Sequence, residues 1–459
     1  MKNDFLSTIA AISTPRGKGG IALIRISGEE AVAIAGRCFS PKCGKKVDML
    51  SARTAYFGDI LSDGEIIDDG IVTVFRSPAS YTGEDMVEIS CHGGILVTSR
   101  VLEAVFKAGA VPASAGEFTR RAFVNGKLSL TKAEAVGEIL EAKSEAQLKV
   151  AATKRRGVLS QRLESASHEL TALIADVYAK IDYPDEDLAE LSDDEFISRA
   201  EKVLKNITEL KSTYRSGSAI FEGINTVICG APNRGKSSLY NMISGEDAAI
   251  VTDIAGTTRD ILERDIPLGK VLLHLTDTAG IHETEDTVEK IGVLRAKERL
   301  ADAELIICVF DGSKCLYDED TALIEELKNC SAAKIAVLNK CDVACANISL
   351  PCGVFDKTVR ISAKSGEGFD KLRCAVEALF IDEKINTSTD ALITNARQFA
   401  SLDEAAKLIE DAMNTAKTLG ADIASSDLER AVATLSELDG KAVSENVVSE
   451  IFSRFCVGK

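Results

Sequence analysis

The 459-residue chain is 45% hydrophobic and 27% charged, as is typical of a soluble globular protein of about three domains. It has no apolar stretch long enough to span a bilayer and no signal-peptide pattern at its N-terminus, so we expect a cytoplasmic protein without a membrane span. A net charge of −17 excludes a nucleic-acid binder that depends on overall positive charge. Contact with RNA would have to use local basic clusters or a basic partner protein. The candidate clusters, for which a solvated helix face is the simpler interpretation, are Arg120–Arg121 and Lys154–Arg155–Arg156.

Residues 1–120 alternate strand and helix patterns and predict an α+β domain. Strands are expected at residues 20–26, 54–60, 70–75 and 86–90, and helices at 29–38 and 95–108. Arg25 and Glu88 stand inside two of these strands, where each either faces water or binds a polar group, and water is the simpler interpretation. His92 follows the last strand beside two glycines; it could be catalytic, but a lone histidine usually is not.

Residues 121–219 and 382–459 have helical periodicity and predict one all-α domain built from two segments, the second carrying the FCVGK tail. Thr131 is expected to cap a long helix that continues past Val150, with Glu134 at the capping-box position. Ser216–Gly217–Ser218 should loosen the chain before the next domain. Residues 220–381 then form an inserted domain, an arrangement that is tolerated when the ends of the insert lie close together.

A glycine-rich motif begins where an apolar run ends at Gly230. A strand, a G-x-x-x-x-G-K-S loop and a helix pattern follow one another between Ile224 and Asn241, which is typical of a phosphate-binding loop. The glycines allow backbone N–H groups to surround an anion, and the helix directs its positive end to the same place. Lys236 would reach the terminal phosphates and Ser237 would hold magnesium.

Further nucleotide-binding motifs follow in the order expected of a Ras-like P-loop GTPase domain. A polar loop at residues 253–260 offers a threonine to magnesium, and the D-x-x-G of residues 277–280 offers Asp277 to magnesium and the Gly280 N–H to the γ-phosphate. In the N-K-x-D motif, Asp342 would accept two hydrogen bonds from N1 and N2 of guanine, a donor pair that adenine lacks. The predicted GTP-binding residues are Asn233, Arg234, Gly235, Lys236, Ser237, Ser238, Thr252, Asp253, Ile254, Ala255, Gly256, Thr257, Thr258, Asp277, Thr278, Ala279, Gly280, Asn339, Lys340, Asp342, Ser362, Ala363 and Lys364.

The catalytic machinery departs from that of Ras-like enzymes. Ile281 stands where a glutamine would orient the attacking water. An acid in the following loop could take that role, and the candidates are Glu283, Glu285, Asp286 and Glu289. Arg234 and Arg259 are candidates for a cation at the transition state by residue type only.

The chain resembles the MnmE (TrmE) family of tRNA-modification GTPases from end to end. The resemblance is carried by DFLSTIAAISTPRGKGGIALIRISG, SYTGEDMVEISCHGG, GEFTRRAFVNGKLSLTKAEAV and the tail IFSRFCVGK, together with the nucleotide motifs. It implies a homodimer that works with the flavoprotein MnmG to modify C5 of the wobble uridine in certain tRNAs. It further implies an N-terminal domain that dimerises and binds 5-formyltetrahydrofolate or a related one-carbon folate.

The resemblance also implies roles for individual residues. Folate would be bound by Arg25, Glu88, Lys127 and Lys459, magnesium by Ser237 and Thr258, and potassium by Asn233, Thr252, Ile254 and Thr257. Glu289 matches the catalytic acid of the family, and a potassium ion at the interface of two nucleotide-binding domains would replace the arginine finger. Cys456 lies in the tail, where a structural role is the simpler interpretation.

Arg234 is a departure from the family, which usually has a small residue at this position of the phosphate loop. Its side chain could contact a phosphate across the dimer or point into solvent, and solvent is the simpler expectation.

Two other functions of the protein remain open. A ribosome-assembly GTPase would usually append an RNA-binding domain such as KH, whereas the C-terminal segment here is acidic and helical. A free-standing folate-dependent transferase would need its own nucleophile or acid in the N-terminal domain.

Overall fold

A computed structural model describes residues 7–182, 191–247, 263–276, 302–343, 348–441 and 443–458. The chain divides into two compact units: Met1–Gly137 with Arg155–Ser167 and Val432–Lys459, and Glu138–Lys154 with His168–Ala431. The first contains a mainly antiparallel sheet with helices and the second a mainly parallel sheet with helices, which confirms the predicted multidomain α+β and α/β fold. Across these described ranges, every helix is too short or too polar to cross a membrane.

The sheet of the first unit has seven strands in the order β3-β4-β5-β6-β2-β1-β7. Its strands are β1 Ile9–Ile12, β2 Ile21–Ser27, β3 Phe39–Pro41, β4 Ala55–Ser62, β5 Glu65–Phe75, β6 Met86–His92 and β7 Val111–Pro112. Helices α1 Ala31–Cys38 and α2 Ile95–Lys107 pack against it. Alternation along β2 and β6 buries Ile24 and Ile89 and places Arg25 opposite Glu88 on the other face.

Helical segments begin after the sheet and differ in detail from the sequence expectation. They are α3 Glu117–Val124, α4 Leu130–Glu141, α5 Glu145–Arg155, α6 Val158–Asp182, α7 Asp193–Ser212 and α8 Tyr214–Phe221. The single long helix expected from Thr131 past Val150 is therefore wrong, because α4 and α5 are separate. The side chain of Gln147 accepts hydrogen bonds from the backbone N–H of Lys143 (2.6 Å) and Ser144 (3.2 Å), and so caps the start of α5.

Two further local expectations are wrong. Thr131 does not cap α4; it lies buried inside the helix, where its hydroxyl donates to Asp439 at 2.9 Å. Ser216–Gly217–Ser218 is not a loose connection but the middle of α8. The Ser216 hydroxyl donates to the carbonyl of Phe380 at 3.2 Å, and a Cβ on Gly217 would collide with the carbonyl of Ile393. Close packing thus keeps this segment helical despite its glycine and serines.

The sheet of the second unit has the order β13-β12-β11-β8-β10-β9, with all neighbours parallel except the β9–β10 hairpin. Its strands are β8 Ile224–Cys229, β9 Glu263–Leu268, β10 Val271–Thr276, β11 Leu305–Asp311, β12 Ala333–Asn339 and β13 Lys357–Arg360. Helices α9 Lys236–Asp247, α10 Asp318–Leu327 and α11 Phe369–Phe380 belong to this part of the chain. The carboxyl ends of β8, β11 and β12 meet at one edge, where α/β sheets bind ligands.

Helices α12 Ala396–Leu419, α13 Ala421–Asp439 and α14 Glu445–Ser453 complete the chain. Helix α12 packs along α7, and Lys211 of α7 is paired with Asp403 of α12 at 2.9 Å. Segments from before and after the six-stranded sheet are therefore joined, as the discontinuous helical domain requires. The exact boundaries at residues 120, 219 and 381 stay predictions.

Candidate nucleotide-binding site

The loop after β8 has a backbone that only certain residues can adopt. Gly230 has φ +149°, and a Cβ there would collide with the carbonyl of Val309. Gly235 has φ +96°, and a Cβ there would collide with the side-chain amide of Asn339. Asn233 occupies the left-handed region with φ +61°, which asparagine tolerates better than most residues. Helix α9 starts directly after Gly235, so its N-terminus faces the same loop.

Lys236 folds back over this loop. Its ammonium donates to the carbonyls of Gly230 (2.8 Å) and Ala231 (3.1 Å). Burial disfavours the charged form and lowers the pKa of Lys236 below its usual range. A phosphate at the loop would supply the missing opposite charge. Ser237 and Ser238 are exposed in the first turn of α9, where a hydroxyl suits magnesium.

The N-K-x-D motif at the end of β12 holds the loop from the other side. The side-chain amide of Asn339 donates to the carbonyl of Arg234 at 3.0 Å, and its oxygen accepts from the N–H of Ala363 at 2.9 Å. Lys340 donates to the carbonyl of Asn233 at 2.9 Å. One motif thereby connects the phosphate loop to the segment of residues 362–364.

A cavity of about 770 Å³ opens beside these contacts. It is lined by Gly235, Ser238, Asn241, Met242, Gly245, Asn339, Lys340, Asp342, Val343, Ser362, Ala363, Lys364, Ser365 and Gly366. A hydrogen bond from Ser362 is the largest effect that lowers the pKa of Asp342, so its carboxylate is ionised at neutral pH. An ionised acceptor in a cavity next to the phosphate loop is what recognition of guanine requires.

Asp311 is a residue of this site that the motifs did not reveal. It ends β11 and accepts a hydrogen bond from Lys340 at 2.8 Å. Burial opposes its ionisation most strongly, but hydrogen bonds from Lys340 and Ser313 prevail and hold the pKa of Asp311 at about 2. The available signal was its position: an acid at the carboxyl end of a buried parallel strand.

Arg234 lies neither in solvent nor free to reach a phosphate, so the expectation of a solvated side chain is wrong. Its Nε and Nη2 donate to Asp320 Oδ1 (3.2 Å) and Oδ2 (2.9 Å), and the side chains of the two residues are 11% and 3% exposed. The guanidinium carbon lies 4.7 Å from the centre of the Tyr317 ring. Asp320 and Tyr317 were not predicted as part of the site, because they follow Arg234 by more than eighty residues.

A second cluster lies on the sheet of the first unit. Arg25 donates to Glu88 Oε1 through Nε (3.0 Å) and Nη2 (2.7 Å). The two side chains are only 16% and 20% exposed, so the expectation that Arg25 and Glu88 face water is wrong. The rings of Tyr81 and Phe118 lie 5.5 and 5.6 Å from its guanidinium. Its Nη1 also donates to the carbonyl of Gly458 at 3.4 Å, so the C-terminal tail reaches this cluster.

Lys127, the other described folate candidate, donates to the carbonyl of Pro78 at 3.0 Å. Several predicted site residues lie outside the described ranges, and their placement stays a prediction: Thr252, Asp253, Ile254, Ala255, Gly256, Thr257, Thr258, Asp277, Thr278, Ala279, Gly280, Glu289 and Lys459. The acids Glu283, Glu285 and Asp286, with Arg259 and Ile281, lie outside them as well.

Each of the two basic clusters considered for RNA contact contains a buried side chain, so neither is simply a solvated helix face. Arg121 is fully buried and paired with Glu84 (3.2 Å) and Glu117 (2.9 Å). Lys154 is 3% exposed and paired with Glu138 at 2.6 Å. These side chains hold their own unit together, so neither is available to a phosphate backbone.

Comparison with known proteins covers almost the whole chain. The family model described as GTP-binding protein TrmE N-terminus matches residues 8–127, and the model described as MnmE helical domain matches residues 130–456. A protein named tRNA modification GTPase MnmE from Lactobacillus johnsonii is 41% identical, over 98% of both chains. Proteins of the same name are 38% identical in Clostridioides difficile (98% of this chain, 99% of the relative) and 39% identical in Thermotoga maritima (99% and 100%).

Proposed function

This chain belongs to the MnmE family of tRNA modification GTPases, and on that premise we propose that it couples GTP hydrolysis to modification of the wobble uridine of certain tRNAs. The observation that carries GTP as its substrate is the carboxyl group of Asp342 in the cavity beside the phosphate loop. The modification would place an aminomethyl-type group, such as carboxymethylaminomethyl, on C5 of the uridine. A flavoprotein partner, MnmG, would supply the redox chemistry, and the enzyme would act in the cytoplasm.

Nucleoside analysis of tRNA tests this function. Deleting the gene should remove the C5 modification from the wobble uridine, and expressing the intact chain should restore it. Expressing an Asp342→Ala chain should not. Normal wobble uridines in the deletion strain would contradict the proposal, and accumulation of ribosomal precursors in that strain would favour a ribosome-assembly GTPase instead.

The described residues suit GTP and magnesium. Lys236 would move from the loop carbonyls to the terminal phosphates, and the exposed hydroxyl of Ser237 would hold magnesium together with Thr258. Bound magnesium neutralises charge on the phosphates during phosphoryl transfer. Glu289 would position the attacking water in place of the glutamine that Ile281 replaces.

Potassium is proposed as the activating cation at a dimer of nucleotide-binding domains. Asn233 is exposed at the tip of the phosphate loop with its own carbonyl held by Lys340, and its amide oxygen is a suitable ligand for a hard cation. Thr252, Ile254 and Thr257 would complete the site. A fixed cation there stabilises negative charge that develops on the phosphates. GTPase rates measured in KCl and in NaCl test this, and equal rates in the two salts would contradict it.

The cluster around Arg25 suits a folate. Glu88 could accept hydrogen bonds from the N–H groups of a pterin, Tyr81 offers an aromatic surface, and Arg25, Lys127 and Lys459 offer cations to carboxylates. Calorimetric titration of the protein with 5-formyltetrahydrofolate tests this site. Unchanged binding by the charge-neutral pair Arg25→Met and Glu88→Gln would contradict it.

A homodimer through the same sheet face is supported by its apolar residues. Phe57 is directly opposite Ile71, in a cross-strand row two residues along the strands from the row that contains Glu88 and Arg25. Because side chains alternate between the two faces of a sheet, both rows point to the same face. Phe57 is 53% and Ile71 43% exposed, although each is large and apolar. Burial against a second copy would remove this surface from water.

We expect the double variant Phe57→Asp, Ile71→Asp to be monomeric. Two charges buried at the centre of the interface should raise the dimer dissociation constant by at least about 100-fold. Light scattering after gel filtration would then report a mass near the 49.0 kDa of one chain. Met49→Asp, an exposed apolar residue outside the sheet, is the matched control. An unchanged dimer in the double variant would show that another surface forms the interface.

A further inference from the structure

Arg234 belongs to a network of hydrogen bonds around the phosphate loop. Asn339 donates to the carbonyl of Arg234, and Lys340 donates to the carbonyl of Asn233. Lys340 also donates to Asp311 at the end of β11. The side chain of Arg234 then reaches Asp320 in the first turn of α10, the helix that follows β11. The loop backbone is thus bonded to residues at the end of β12, and the side chain of Arg234 is bonded to α10.

Asp320 is itself fixed in place. Its carboxylate accepts a hydrogen bond from the backbone N–H of Tyr317 at 3.0 Å, as part of a capping box at the start of α10. Arg234 and Asp320 form a bidentate pair, which is the strongest geometry that an arginine and a carboxylate can adopt. The Tyr317 ring covers the guanidinium and shields the pair from water.

We propose that Arg234 is a positioning residue of the GTPase: its pairing with Asp320 sets the backbone of residues 233–235 before nucleotide binds. Arg234 fixes one side of Asn233, whose backbone is left-handed, and Gly235 leads directly into α9. Loss of the pairing frees the tip of the loop, so nucleotide binding has to order it again. This inference rests on the proposed GTPase and extends it with a residue that acts through the loop and not on the phosphates.

The test compares single and double variants in the full-length protein. Arg234→Met keeps the aliphatic part of the side chain, and Asp320→Asn keeps an acceptor for the Tyr317 N–H. Each should raise the dissociation constant of a fluorescent GDP analogue about tenfold, in line with the loss of a charge-assisted hydrogen bond. The double variant leaves no unpaired buried charge, so it should fold like the wild type and still bind GDP about as weakly as the single variants.

The rate data separate positioning from simple damage. With saturating GTP and potassium the kcat of Arg234→Met should stay within about twofold of wild type, whereas the potassium concentration for half-maximal rate should rise. Asp318→Asn, an exposed acid in the same helical turn, is the control and should match wild type. Wild-type affinity for GDP in both single variants would overturn the inference. A loss of kcat with unchanged GDP affinity would also overturn it, since that is the behaviour of a cation acting across the dimer. If the wild-type protein itself binds no GDP, the proposed GTPase is what has failed.

Discussion

Asp342→Asn should lower affinity for GTP by about 10²–10³-fold and create affinity for xanthosine triphosphate. Guanine offers two N–H donors, at N1 and N2, to the carboxylate. An asparagine in the same place presents a donor toward the amino group of guanine, so one hydrogen bond is lost and two donors are brought together. Xanthine has a carbonyl at this position, and the asparagine amide can donate to it.

Competition with a fluorescent GDP analogue measures the affinity of each triphosphate for the wild type and the variant. The variant should stay folded, because Asp342 is held by Ser362 and a neutral amide can replace the carboxylate in that contact. Asp318→Asn provides a control in which the same chemical change occurs away from the cavity. If Asp342→Asn bound GTP as tightly as the wild type, the cavity beside the phosphate loop would not be the site of the base.

The residues of the nucleotide site that could be predicted are those whose role is local. Gly230 and Gly235 are required by a positive φ, which is a property of the local loop backbone. Likewise the strands before Gly230 and Asn339 follow from short apolar runs, so the sheet edge that carries both could be inferred from the sequence. The comparison with relatives then agrees with the family that these motifs indicated.

The contacts that could not be predicted depend on tertiary packing. Arg234 pairs with Asp320 because the β11–α10 connection passes beside the phosphate loop, and no spacing in the sequence encodes that passage. Arg121 and Lys154 carry charges that suggested solvent, yet acidic partners contributed by the fold allow their burial. Thr131 is of a residue type that often caps helices, but here its hydroxyl donates a buried hydrogen bond to Asp439, which lies near the end of the chain.

Lys236→Ala should reduce kcat/KM for GTP by about 10²–10³-fold, as expected when a charged group that stabilises the transferring phosphate is removed. The same substitution should leave the stability of the nucleotide-free protein almost unchanged or increase it. Burial is the largest effect on Lys236 and lowers its pKa in the folded state. A lysine with a lowered pKa disfavours folding at any pH below its folded pKa, since both states are then charged and only the folded one is desolvated.

The melting temperature of Lys236→Ala without nucleotide should therefore equal or exceed that of the wild type at pH 7, and this difference should shrink as the pH rises through the lowered pKa and the wild-type lysine loses its charge. Added GTP and magnesium should raise the melting temperature of the wild type far more than that of the variant, because ligand binds the variant weakly. Lys270→Ala, an exposed lysine in the turn between β9 and β10, should leave both the rate and the melting temperature unchanged. A variant that hydrolyses GTP at the wild-type rate would show that Lys236 does not serve the phosphates. A variant that melts well below the wild type at pH 7 would show that Lys236 holds the loop together.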